Sequence, residues 1–210
     1  MKTYHLIFSI LLSVFTLISC GDKSTSTPTP PTPPVTTVKT AGTLTVSTTT
    51  ASTDPADPTG GPTSKSTYGP YNCVAIWIED SNGKFVKTLT EWGITRKYDL
   101  LAWKASSGYN ISGLTVVPGS NPSLPQPDAT TGATLTNYGK MSCTWNGKNT
   151  AGELVADGTY KVRFELTDDG TKGVVSNMTV SFTKGPTAVS PAAPNVTSFG
   201  TNSVSWVPVP

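Results

Sequence analysis

The sequence predicts an all-β chain, an antiparallel β-sandwich with one short helix and one long loop. Three observations predict it. Short runs of alternating apolar and polar residues recur between about 42 and 184, separated by turns rich in Gly, Asn and Asp. One run, Tyr71 to Asp80, is apolar on both faces, as a central strand covered on both sides must be. Helical spacing occurs in a single stretch, 94–105.

Each element follows in order. Leu44 and Val46 alternate with Thr43, Thr45 and Ser47, which gives a first strand, and a Thr/Pro/Gly/Ser-rich loop occupies 50–69. In the central strand Cys73, Ala75 and Trp77 share one face and Val74, Ile76 and Ile78 the other. Asp80-Ser81-Asn82-Gly83 then leads into Lys84 to Leu89, and Asn-Gly between two strand-like runs is the strongest short hairpin signal. Ile94, Tyr98, Leu101, Ala102 and Ala105 lie at helical spacing, with Thr95 as the expected cap and Gly108 as the terminator. The long loop, about 106–138, carries Pro118, Pro122, Pro125 and Pro127. Loops of this length inside a domain are more often functional than idle.

Strands resume at about 139–145, and a turn-rich segment follows, Asn146 to Gly152. Tyr160, Val162, Phe164 and Leu166 then alternate with Lys161, Arg163, Glu165 and Thr167, which predicts a strand with one solvated face. Asp168-Asp169-Gly170 turns the chain into a strand over Val174 to Phe182, with Met178, Val180 and Phe182 on one side. Residues 186–210 read as a Pro-rich, loosely held tail with one weak strand near Val204 to Val207.

The N-terminus reads as an address. Met1-Lys2 precedes an apolar run, Leu6 to Ile18, too short to span a bilayer but right for a secretory signal. The run ends Leu17-Ile18-Ser19-Cys20-Gly21, which resembles the lipobox of bacterial lipoproteins. That resemblance implies a signal peptide over 1–19 and lipidation of Cys20, so that acyl chains hold the protein on a membrane of the bacterial cell envelope. Residues 20–40 are a Pro/Thr-rich stalk that proline keeps extended. The sandwich is expected over 41–185.

Composition excludes several classes of function. Charged residues make up 13% of the chain and the formal net charge is +2, too weak and even for a grip on nucleic acid. The single histidine, His5, lies in the signal peptide. A mature chain without histidine runs neither Ser–His–Asp nor Cys–His catalysis and builds no His-ligated metal site. Cys73 and Cys143 remain after lipidation of Cys20. They either form a disulfide or sit as buried thiols, since spacing alone does not set the Cα separation a bridge needs.

Two further resemblances carry fold and function. Trp145-Asn146-Gly147, Gly152, Val155 and Gly158-Thr159-Tyr160 resemble a pattern of immunoglobulin-like modules known from flagellar hook-capping proteins. The pattern implies a turn and two paired strands closing over an aromatic pair, hence an immunoglobulin-like sandwich, and no particular activity. A longer set runs from Pro70-Tyr71 through Ala75 to Asp80, Gly83-Lys84, Thr88-Leu89, Trp92-Gly93 and Trp103. It continues with Thr131-Gly132-Ala133-Thr134, Trp145-Asn146-Gly147 and Gly158-Thr159-Tyr160. This resembles the predicted periplasmic family domain of unknown function 2271, found near PepSY-type membrane proteins and flavin transferases.

Within it, Asp128-Ala129-Thr130-Thr131-Gly132-Ala133-Thr134 resembles the flavinylation motif of membrane redox complexes. That resemblance implies covalent FMN on Thr134, with Asp128, Thr131, Gly132 and Ala133 as the recognised residues. It also implies a flavin transferase as partner and a membrane redox protein as electron donor. Gly132 and Ala133 suit such an acceptor because they put almost no side chain in the way. The expected function is a lipid-anchored extracytoplasmic flavin carrier, more a relay than an enzyme. The alternative is a cofactor-free binding or structural module at the cell surface. Of the five tryptophans, Trp77 and Trp145 read as core, while Trp92 and Trp103 are not distinguished. The acidic pairs Glu79-Asp80 and Asp168-Asp169 read as turn chemistry in preference to Ca²⁺ ligands.

Overall fold

Two sheets face each other across an apolar layer. The computed structural model describes residues 37–53, 72–93, 99–109, 130–132, 135–168 and 176–210. Among the described residues the strands are β1 (Gly42–Thr50), β2 (Cys73–Asp80), β3 (Phe85–Trp92), β4 (Thr130–Gly132), β5 (Lys140–Trp145), β6 (Gly158–Thr167), β7 (Ser176–Lys184) and β8 (Phe199–Pro208), with one helix, α1 (Leu101–Ser107). One sheet has three strands in the order β5-β1-β8, the other five in the order β4-β3-β2-β6-β7. Every pairing is antiparallel except β3 with β4, which is parallel. The fold class is the all-β sandwich that the alternation predicts.

The inward faces supply the main core. Leu44 and Val46 of β1, Trp145 of β5 and Phe199, Val204 and Trp206 of β8 meet Val74, Ile76 and Ile78 of β2. Val162, Phe164 and Leu166 of β6 and Met178, Val180 and Phe182 of β7 complete it. The predicted hairpin forms at Asp80–Gly83. Gly83 takes φ +83°, its N–H donates to the Asp80 carbonyl at 3.0 Å, and the Asp80 carboxylate accepts from the N–H groups of Asn82 and Lys84 at 2.9 Å each. The Trp145-Asn146-Gly147 segment also forms its aromatic pair: the Trp145 and Tyr160 rings lie 5.4 Å apart. Val155 N–H closes the turn on the Gly147 carbonyl at 2.9 Å.

Four expectations are corrected. The tail over 186–210 is not loosely held. Its last part is the ten-residue strand β8, paired with β1 from Gly42↔Pro208 to Thr50↔Phe199, with Trp206 wholly buried. The polar run Thr201-Asn202-Ser203, with Ser205 beyond it, hid the strand by leaving only Phe199, Val204 and Trp206 as buried apolar positions. The helix starts at Leu101 and runs to Ser107, and its N-cap position is Leu100, so Thr95 does not cap it. The long loop is interrupted by β4, whose three residues extend the larger sheet beside β3. Finally, the second face of β6 is not solvated, since Glu165 and Thr167 are buried there.

That last correction reveals a second layer. Cys73, Ala75 and Trp77 of β2 pack with Leu100 and Trp103 on the outer face of the five-stranded sheet, with Phe85, Ala102 and Tyr109 around them. This is why β2 is apolar on both faces. Seven residues are too few to make a helix stable alone in water, so α1 exists because the sheet holds it.

Candidate functional site

Two places concentrate polar and titratable groups in protected surroundings. The first lies under α1. Glu79, Glu91 and Glu165 are all buried on the outer face of the large sheet, where unpaired charge would be costly. Glu165 substitutes for the missing helix cap. Its Oε1 accepts the Ala102 N–H at 3.0 Å and its Oε2 the Trp103 N–H at 2.7 Å. Burial pushes the Glu165 carboxyl up. These backbone donors, that of Leu101, and the Arg163 charge pull it down without cancelling the effect.

Glu79 holds the other end of the helix. It accepts from Ser106 Oγ at 2.7 Å, from Trp77 Nε1 at 2.9 Å and from Arg163 Nη1 at 3.0 Å. The Arg163 guanidinium also lies over the Trp77 ring, 5.5 Å from its centre. Trp103 Nε1 donates to Thr88 Oγ1 at 2.9 Å and completes a three-point latch. Glu79 and Glu165 thus already serve the helix, and their arrangement is structural. Tyr109 stacks on Trp103 with ring centres 5.0 Å apart. Burial and the Glu91 charge push its hydroxyl up to about 12.

The second place is a groove of about 610 Å³ between β3 of the large sheet and β5 of the small one. That volume falls in the range of about 300–1,000 Å³ typical of small-molecule sites. From β3 come Leu89, Thr90 and Trp92, and from β5 Met141 and Cys143. Leu135, Asn137 and Tyr138 line it from the segment between β4 and β5.

This segment is firmly pinned. Leu135 and Asn72 exchange backbone hydrogen bonds of 3.0 and 2.9 Å. Asn72 Nδ2 donates to the Asn137 carbonyl at 3.3 Å. The Thr50 hydroxyl accepts from Gly139 N–H at 3.0 Å, and Tyr138 donates its hydroxyl to Asp168 Oδ2 at 2.7 Å. Asp168 in turn accepts from the N–H and hydroxyl of Thr53. Asp168 therefore serves as a pin for the groove wall.

The predicted site residues divide as follows. Thr131 and Gly132 lie in β4, opposite Glu91 and Trp92 of β3. Cys20, Asp128, Ala133 and Thr134 lie outside the described residues. Leu135, which follows Thr134 in the chain, lines the groove. Cys73 and Cys143 are both free thiols, and they occupy different layers: Cys73 packs under α1, whereas Cys143 packs against the inter-sheet core. Cys73 is buried and Cys143 half-buried, and no disulfide joins them in this structure. Burial pushes the Cys143 thiol up to about 12, which leaves it neutral and unreactive near pH 7. Among the tryptophans, Trp77, Trp103, Trp145 and Trp206 are buried, while Trp92 is half-exposed and lines the groove. The alternation could not have shown the groove, because its walls come from two different sheets.

A family described as predicted periplasmic protein, DUF2271, matches residues 61–196. The chain belongs to this family. The DUF2271 match spans β2 to β7, including α1 and both walls of the groove, and leaves β1 and β8 outside it. The family's predicted location agrees with a place in the cell envelope. No curated protein and no solved structure matches the chain.

Proposed function

We propose that this DUF2271 protein is a lipid-anchored, extracytoplasmic carrier of covalent FMN that relays electrons. Thr134 is the attachment residue, Cys20 the lipidated one, and the sandwich an immunoglobulin-like scaffold. One observation carries the reading. The residues flanking Thr134 on both sides belong to the sheet: Thr130, Thr131 and Gly132 run beside Thr90, Glu91 and Trp92, and Leu135 is bridged to Asn72. Strand β4 is the outermost strand of its sheet, and an enzyme that modifies a segment needs chain at such an edge. The adjoining groove fits a flavin in volume, and its lining mixes apolar and aromatic side chains with polar ones such as Thr90, Asn137 and Lys140.

The chain's part in loading is small and definite. The Thr134 hydroxyl oxygen attacks the FMN phosphorus of FAD, the bond between the two phosphates breaks, and AMP leaves. The hydroxyl proton goes to a base of the flavin transferase, which supplies the metal as well. Bound FMN would supply the redox chemistry for exchange with a membrane redox protein, and the chain would position it and tune its surroundings.

Intact mass tests this directly. The exported protein, co-expressed with an active flavin transferase, gains one FMN less water on the peptide that holds Thr134, and Thr134→Ala gains nothing. An unmodified wild-type mass, with the transferase shown active on another substrate, overturns the reading in favour of a cofactor-free surface module.

A further inference from the structure

We propose that the groove between β3 and β5 is the resting site of the flavin ring system, with Trp92 and Tyr138 as the side chains that flank it. This rests on the flavin reading above and adds to it a binding site on described residues.

Four observations converge. The first is adjacency in the chain: Leu135 lines the groove and directly follows the attachment residue. The second is chemistry. Leu89, Leu135, Met141 and the Trp92 and Tyr138 rings offer apolar and aromatic surface to a planar heteroaromatic ligand, and Thr90 and Asn137 offer polar groups for its edge.

The third is the condition of Trp92. Four of the five tryptophans are consumed by the two cores, each with its indole N–H bonded: Trp77 to Glu79, Trp103 to Thr88, Trp145 to the Lys148 carbonyl and Trp206 to the Gly185 carbonyl. Trp92 alone keeps ring surface open, and it keeps it towards the groove. The fourth is preorganisation. Tyr138 is held by Asp168 at 2.7 Å, and the backbone beside it is held by Thr50 and Asn72, so the wall needs little ordering when a ligand binds.

The environment also suits a redox ring. Cys143 faces the groove as a neutral thiol, so it neither attacks the ring nor adds charge beside it. Among the described residues of the lining, Lys140 is the one that carries a formal charge at neutral pH, and it is exposed. A ring seated here has an apolar face, a cation at its rim and solvent on the open side, an arrangement that permits electron transfer without exposing the whole ring.

The test is collisional quenching of flavin fluorescence by iodide on the full exported chain loaded by the transferase, with intact mass recorded on the same sample. Sites of this class bury about 70–90% of their ligand's surface, so quenching should fall about three- to tenfold below that of free FMN. Met141→Trp fills the groove and should restore quenching towards that of free FMN, at unchanged loading. Tyr138→Ala opens the wall and should raise quenching in the same direction. A loaded wild-type protein that is quenched like free FMN overturns the groove proposal and leaves the attachment intact. Loaded variants that keep full protection overturn it too. A wild-type protein without the FMN mass overturns the flavin reading and this site together. The wild-type measurement decides on its own if a variant fails to fold.

Discussion

Replacing Glu165 by alanine should release helix α1 without unfolding the sandwich. The carboxylate receives the Ala102 and Trp103 N–H groups at 3.0 and 2.7 Å, and no side chain of the helix itself caps that end. Hydrogen bonds to a charged acceptor contribute about 1.5–3 kcal/mol each, so the gross effect is about 3–6 kcal/mol. Burial opposes it, as the raised carboxyl pKa shows. The variant also leaves those two donors facing an apolar layer. The expected net loss at pH 7 is about 2–3 kcal/mol in urea unfolding.

Hydrogen exchange should place the change locally. Amides of 101–107 should lose most protection, while those of β6 and β7 keep theirs until global unfolding. The pH dependence has a defined sign. A carboxyl raised in the folded state binds more protons there than in the unfolded chain. Its contribution is therefore fullest below the ordinary glutamate range, and it declines as pH rises through the raised value. The gap between wild type and Glu165→Ala should accordingly shrink from pH 4 towards pH 7. A loss under about 0.5 kcal/mol, or unchanged protection of α1, would refute the latch.

Three further outcomes follow from the packing. Lys184 is fully buried and bonded to Asp157 at 2.7 Å, and Asp157 also receives the N–H and hydroxyl of Thr40. Asp157→Ala should cost about 3–5 kcal/mol by stranding a buried cation, and adding Lys184→Met should recover much of it in a double-mutant comparison. Burial pushes the Asp157 carboxyl up, but its bonds from Lys184 and Thr40 outweigh this and hold it below its usual range. The wild-type pair should therefore weaken only as pH falls below the ordinary aspartate range. Trp206→Ala removes the anchor of β8 and should cost about 3–5 kcal/mol by thermal or urea unfolding; a loss near zero would mean that the tail is dispensable. Cys143, half-buried at the groove, should react slowly with thiol reagents at pH 7.5 in the native protein and fully in urea, and rapid native labelling would refute a neutral thiol.

The β-sandwich was legible because alternation with a period of two reports burial directly. The β2–β3 hairpin was legible because the turn over Ser81-Asn82 ends on a left-handed position, which Gly83 takes without strain. The proposed attachment motif is a local string, since an enzyme that recognises a segment reads it as a string. The sequence by itself thus determined the fold class and the β2–β3 turn.

Tertiary structure decided the rest. Glu165 reads as a solvated strand residue until α1 is laid over β6, after which it becomes the helix's cap. Strand β8 lacks a continuous apolar signal and gains its order from eight pairings with β1, a partner some 150 residues away. Trp92 and Tyr138 share a groove only because β3 and the segment before β5 meet across two sheets. Periodicity reports which side of an element is buried, whereas what covers that side is set by contacts between residues far apart in the chain.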